Sequence, residues 1–337
     1  MEKISVICPV YNSEDFIGDL IRSLQRQTYS NFECIFVDDC SNDKSCELLM
    51  NIKESRFNVY QNEVNLGAQK SRKKGYLKAT GEFVTFIDSD DHLDPHFLEK
   101  MIFKIKNDHS DVVMCNYKVI DTHNKVIREN KAVTPVNHSC FPVNPEQEPQ
   151  VILSKPAFWN KLYRNAFLIK YIDFPDVKLA QDLAVIPYVL SKANKISYVD
   201  DSLYCYRIKQ DSISNTYDEQ LLEINKSLEQ LTHRLESHYQ DELEFMTIGH
   251  SFFQMSKTIF IKEKAKRIEI YQQLRDYIEE TYPNYKKNKH FKKRLDYKVF
   301  TFILRQTFLI KSTLLNYIIK FIVKNRLINK LIRKSDK

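Results

Sequence analysis

Short apolar runs alternate with amphipathic stretches through the first third of the chain. Ile4-Ser5-Val6-Ile7-Cys8, Phe32 to Val37, Phe57 to Tyr60 and Phe83 to Ile87 are β-rich, and helical spacing separates them from about Glu14 to Gln27, from Ser45, and from about Ala68 to Lys78. Continuous apolar runs suit strands buried on both faces, and strict alternation of strand with helix predicts a mostly parallel sheet flanked by helices. A helix from Pro95 to about Asn107 and a strand Val112 to Cys115 continue the rhythm, and a proline-containing stretch from Pro135 to Pro156 interrupts it. Pattern returns from Phe158 to about Asn215, with short helices and a strand Ile196 to Val199. The segment from Glu219 to Tyr282 is charged and almost free of Gly and Pro, which predicts packed helices. The expected organisation is therefore a first half over residues 1–110, a second half over 111–215, a helical region over 216–285 and a separate tail over 286–337.

The tail segregates its apolar and basic residues. On a helix, Ile303, Ile310, Leu314, Tyr317, Phe321, Ile328 and Ile332 fall on one face, and Lys298, Arg305, Lys320 and Lys324 on the other. From Lys286 onward there are 16 Lys and Arg against two acids, in a chain of net charge +7, so the remainder is net acidic. An anionic surface is the expected partner. The uncharged runs are far shorter than the roughly 20 residues a spanning helix needs, so the tail is expected to lie on a membrane, unless its apolar face packs on the protein itself. It matches no nucleic-acid reading module, and no nucleic acid is expected.

With 337 residues, 43% hydrophobic and 28% charged, the chain suits a soluble protein of about two units. No cleavable apolar segment follows Met1, which places the expected catalytic part in the cytosol, peripheral to the inner face of the cell membrane if the tail binds there. Seven cysteines stand singly and are expected to be free thiols. His92 and His96 lie four apart without a matching third ligand and read as incidental.

Chemistry enters where the apolar run Phe83 to Ile87 ends in Asp88-Ser89-Asp90-Asp91. In an open α/β sheet the ligand sits beyond the carboxyl ends of the strands. Clustered carboxylates there call for a cation, and hard oxygen ligands suit Mg²⁺ or Mn²⁺. The bland alternative is a turn that caps the next helix. Three other elements address the same crevice: Pro9-Val10-Tyr11-Asn12, Asp38-Asp39, and Asn65-Leu66-Gly67 with Arg72. Tyr11 can face a nucleotide ring, Asp39 can meet a base edge, and Arg72 with a metal can balance a diphosphate. Singly, each is equally an ordinary loop aromatic, a helix cap or a solvated charge.

In order and spacing, Ser5 to Asn12, Val37-Asp38-Asp39-Cys40-Ser41, Asn65-Leu66-Gly67 and Phe86 to Asp91 resemble the family 2 glycosyltransferases with the GT-A fold, over roughly residues 3–215. The resemblance implies a Rossmann-like α/β domain with a C-terminal helical extension. It implies an inverting, metal-dependent hexosyl- or N-acetylhexosaminyltransferase that uses a nucleotide-diphosphate sugar, usually UDP-linked. The acceptor would be a glycan or lipid-linked acceptor of cell-surface polysaccharide, lipopolysaccharide, capsule or exopolysaccharide synthesis. By the same resemblance Asp39 reads uracil beside Tyr11, and Asp88 and Asp90 form the DXD motif, with Ser89 between them, that holds ribose and Mn²⁺ or Mg²⁺. Ala180-Gln181-Asp182-Leu183 takes the place of the family's Glu-Asp motif, which carries the base role onto Asp182 with Gln181 in place of Glu. Tyr204-Cys205-Tyr206-Arg207 and Ser212-Ile213-Ser214 resemble its closing loop, with Arg207 as a diphosphate clamp. Cys40 stands where Gly is commoner. Trp159 offers a flat face for an acceptor sugar or is a core indole, and Lys161 meets an anionic acceptor or forms a surface ion pair. A nucleotidyltransferase would carry a glycine-rich loop after the first strand, and Tyr11-Asn12-Ser13-Glu14 stands there instead. A noncatalytic nucleotide-sugar or membrane-binding module stays open at this point.

Overall fold

The structure, a computed structural model, describes residues 2–133, 136, 138–209 and 217–292. It divides into two compact units, Met1–Asp176 with Gln181–Asp211, and Val177–Ala180 with Ser212–Lys337.

The first unit opens with β1 (Ile4–Val10), α1 (Ile17–Gln25), β2 (Phe32–Asp38), α2 (Ser45–Met50), β3 (Phe57–Gln61), α3 (Ala68–Tyr76) and β4 (Phe83–Phe86). All residues of β1, β2 and β4 are buried, as their unbroken apolar runs require. These strands pair in parallel in the order β3-β2-β1-β4. The chain leaves β1 toward β2 and β3 and then crosses back to place β4 on the other side of β1. The loops after β1 and β4 therefore diverge, and a crevice opens beyond their carboxyl ends. Gly75 lets α3 lie close to the sheet, since a Cβ there would stand 2.7 Å from Ile7 Cγ2. That close approach sets the height of Arg72 above β4.

The unit continues with β5 (His92–Leu93), α4 (Phe97–Asn107), β6 (Val112–Ile120), β7 (Val126–Asn130), β8 (Lys161–Arg164), α5 (Asn165–Tyr171), α6 (Gln181–Ser191) and β9 (Ile196–Arg207). Here the sheet is mixed. β8 runs antiparallel between β4 and β6, β9 is parallel to β6, and β5 and β7 pair antiparallel to β9 and β6. The parallel arrangement thus holds where the strand and helix rhythm holds, and it lapses where β8 enters from a long connection. β9 is three times the expected length: it runs through Asp200-Asp201-Ser202, and register shifts opposite Cys115 to Tyr117 absorb the polar break. Tyr204 to Arg207, expected in a closing loop, are instead the end of this strand; Ser212-Ile213-Ser214 lie outside the described residues. The main core joins Val6, Phe36, Ile87, Leu20, Phe97, Met101, Leu162 and Tyr204, all buried.

The second unit contains α7 (Glu223–Thr232), α8 (Gln240–Lys257), α9 (Lys264–Thr281) and α10 (Lys289–Lys292). Leu228, Leu231, Leu243, Phe252, Ile270, Leu274 and Ile278 are among its buried side chains. No described helix is long and apolar enough to cross a membrane. The amphipathic tail expected from residue 286 lies, from residue 293 onward, outside the described residues.

Candidate active site

Three loops at the carboxyl ends of β1, β2 and β4 form the crevice. Pro9 is buried within β1, and Tyr11 just beyond it is 44% exposed, with its ring open to a ligand. Asn12 has φ 45°, and its N–H donates to Ser41 Oγ at 3.1 Å while its Oδ1 accepts from Asn42 N–H at 2.9 Å, which ties the β1 loop to the β2 loop. Cys40 sits at φ 60°, a conformation that favours glycine and explains why Gly suits this position better.

Asp39 is buried and accepts from Asn62 Nδ2 and Leu66 N–H, both at 2.8 Å, and from Gly67 N–H at 2.7 Å. Its carboxylate thus shapes the turn that starts α3, where Gly67 has φ 88°. Three of about four acceptor positions are used, which leaves one on Oδ2 for a base N–H. The cap at α2 comes instead from Asp43, whose Oδ1 accepts from Ser45 N–H at 2.9 Å.

The Asp88 to Asp91 turn separates its carboxylates. Asp88 Oδ1 accepts from Arg72 Nη2 at 2.7 Å, and Asp90 Oδ2 pairs with Lys209 Nζ at 2.6 Å. Both side chains keep partial exposure, 28% and 23%. Burial raises the Asp88 carboxyl above the ordinary range against the opposing Arg72 guanidinium, and Asp182 and Asp90 raise it further. Asp91 does not join them. It is buried, and it accepts from Tyr204 Oη and from Arg207 N–H, both at 2.7 Å. Burial holds its carboxyl well above the usual range. Ser89 Oγ lies 2.6 Å from Ser13 Oγ, a bond that joins the β4 loop to the β1 loop.

Two expected donor contacts are corrected. Arg207 was expected to clamp a diphosphate. Its side chain is fully buried and donates to Asp90 O at 2.7 Å, Asp121 O at 3.2 Å, Thr122 O at 3.3 Å and Asp19 Oδ2 at 3.0 Å. It therefore braces the Asp90 backbone. Lys209, two residues on, is the cation that reaches the Asp90 carboxylate. Arg72 is likewise buried rather than turned to a ligand. Besides Asp88 it reaches Gln69 Oε1 and Gln181 Oε1, each at 3.4 Å, and it lies 5.3 Å from the centre of the Phe158 ring.

Asp182 stands in the first turn of α6, partly exposed, and its Oδ2 accepts from Phe158 N–H at 3.3 Å. The Gln181 contact with Arg72, and the effect of Asp182 on Asp88, bring the start of α6 to the carboxylates of β4. The two acceptor contacts are also corrected. Trp159 is buried, stacked on Tyr204 at 4.4 Å and on Tyr206 at 5.3 Å between ring centroids, so it is the core indole. Lys161 is fully buried in β8 and forms no surface ion pair. Tyr204 was quoted in the motif without a role. Its hydroxyl accepts from Asp88 N–H at 3.2 Å while donating to Asp91, a relay that no local spacing shows.

Among the described residues, no cluster of three or more His, Cys, Asp or Glu is placed to hold a metal by itself. Asp88 and Asp90 can supply two carboxylate oxygens, and Asp182 can take a proton across the same crevice.

The Glycosyl transferase family 2 profile matches residues 5–172. EpsH of Bacillus subtilis is 31% identical over 270 residues, covering 74% of this chain and 75% of EpsH. The chain belongs to the family 2 glycosyltransferases. The poly(ribitol-phosphate) β-N-acetylglucosaminyltransferase TarS of Staphylococcus aureus is 32% identical over 75% of this chain, and glycosyltransferase GlyA of Streptococcus pneumoniae is 31% identical over 65% of it. The chain spans three quarters of EpsH, but 45% of TarS and 32% of GlyA. The crystal structure of S. aureus TarS 1-349 in complex with UDP-GlcNAc superposes with a TM-score of 0.60 at 24% identity, over 82% of this chain and 91% of that one. The glycosyltransferase thus has the GT-A fold, with a C-terminal helical part.

Proposed function

We propose that this glycosyltransferase moves a hexosyl or N-acetylhexosaminyl group from a UDP-sugar, with inversion, to a hydroxyl of a cell-surface polymer or lipid-linked glycan. The observation that carries the reading is that Arg72 joins Asp88 to Gln181, the neighbour of Asp182 at the start of α6, and that both Asp182 and Asp90 act on the Asp88 carboxyl. Tyr11 and the remaining acceptor position of Asp39 suit a planar base with an N–H. Asp182 would take the acceptor proton as the new glycosidic bond forms and the bond to the diphosphate breaks, which leaves UDP. Asp88 and Asp90 offer carboxylate oxygens, the hard donors that suit Mg²⁺ or Mn²⁺. Asp88 and Asp90 would hold the ion, and when bound it supplies counter-charge for the leaving diphosphate. Lys209 adds a cation on the same side. TarS, as named, transfers N-acetylglucosamine onto poly(ribitol-phosphate), which favours a related class of donor and polymer here. In calorimetric titrations UDP should bind at least about tenfold tighter than ADP, CDP or GDP; equal affinities would refute the uracil assignment.

The basic tail would bring the enzyme to an anionic membrane that carries its acceptor. Truncation after Lys292, which keeps the Lys289 pairs with Asp241 and Glu242, should reduce sedimentation with anionic vesicles. Undiminished sedimentation would remove the tail from that role.

A further inference from the structure

We infer that Lys161 is a positioning residue for sugar transfer: its ammonium gathers the 155–160 turn into the shape that holds Asp182 in place. The inference rests on Asp182 being the base. Lys161 Nζ donates to Lys155 O at 2.8 Å, Ala157 O at 2.7 Å and Asn160 Oδ1 at 2.8 Å, which uses all three of its N–H groups on one turn. The turn is fixed from outside as well. Asn160 Nδ2 donates to Cys115 O at 3.0 Å, and Thr85 Oγ1 donates to Lys161 O at 2.8 Å, which anchors it on β6 and β4.

A buried ammonium with only neutral acceptors is an expensive way to hold a turn. Burial pulls Lys161 down to about 7, against the charge of Asp182, and Lys155 lowers it further. A methionine would fill similar volume without that cost, so stability alone does not account for a lysine. What the turn carries does. Phe158 gives its N–H to Asp182, and its ring lies under Arg72 and packs on Phe86 at 5.2 Å. Trp159 stacks on Tyr204, whose hydroxyl accepts from Asp88 N–H. Consecutive residues of one lysine-bound turn thus touch the base on one side and, through Arg72 and Tyr204, the DXD carboxylate on the other.

The test is a double-mutant cycle of Lys161→Met with Asp182→Asn, read as kcat, donor KM and donor-binding stoichiometry. Lys161→Met should lower kcat by about 10²-fold, the scale of a misplaced catalytic group, with native stoichiometry and a donor KM within about threefold. In the Asp182→Asn background it should cost less than about twofold more, since both changes disable one function. Lys161→Gln, which keeps two donors, should fall between Met and Lys. Losses that multiply would overturn the inference, as would a fall in kcat that only matches a fall in binding stoichiometry. Failure of both variants to bind donor at native stoichiometry would also overturn it, by reducing Lys161 to a folding role. If Asp182→Asn alone keeps full turnover, the base assignment fails, and that result is read separately from the cycle.

Discussion

Asp182→Asn should lower sugar transfer by about 10³-fold, within the range set by removal of a general base, and leave UDP affinity nearly unchanged. The reason is positional. Asp182 enters the crevice from the first turn of α6, whereas Tyr11, Asp39, Asp88 and Asp90 belong to loops after β1, β2 and β4. Asparagine keeps the acceptor oxygen for Phe158 N–H, so the turn that holds position 182 survives. One electrostatic effect should accompany the loss: Asp182 raises the Asp88 carboxyl, so its neutralisation should let Asp88 ionise at lower pH. Steady-state turnover and a UDP titration measure the two halves of the expectation. Turnover within about threefold of the parent enzyme would show that another group takes the acceptor proton.

Asp90→Ala should act on the donor side. The Asp90 carboxylate is partly exposed and pairs with Lys209, while its backbone carbonyl is held by Arg207. Alanine therefore removes the oxygen proposed to hold the metal without removing the brace that shapes the turn. UDP should bind the parent enzyme more tightly with Mn²⁺ than with chelator. In the variant that difference should collapse, and turnover should fall by about 10²-fold or more. A metal response of the same size in both proteins would take Asp90 out of the metal site.

These expectations draw on features that were unequally visible in the chain. Strands β1, β2 and β4 and the carboxylates after them were legible because a doubly wound sheet writes its order locally, as an apolar run followed by a polar loop. Asp182 was set beside them by the family resemblance alone, and in the structure the Gln181 contact with Arg72 brings the start of α6 to Asp88. The roles of the cations were not legible. Arg207 is held by Asp19 and by carbonyls of Asp121 and Thr122, and Arg72 reaches Gln181, all distant in sequence. A long cationic side chain can point either into or away from a crevice, and only tertiary partners decide. Trp159 stayed undecided between a sugar face and a core indole, and Lys161 between two surface roles it does not have, for the same reason: a motif near an acceptor segment does not show which side chains turn inward. The long β9 was hidden because Asp200-Asp201-Ser202 reads as a strand end, whereas register shifts carry the strand past it.

The measurement that tests the central claim most directly is UDP release by the purified protein across a panel of UDP-sugars, with Mn²⁺ and with chelator, in parent and Asp90→Ala proteins. The account predicts metal-dependent release from one donor, lost in the variant. Release that ignores both chelator and variant, or none from any UDP-sugar even when membrane extract supplies acceptor, would contradict it.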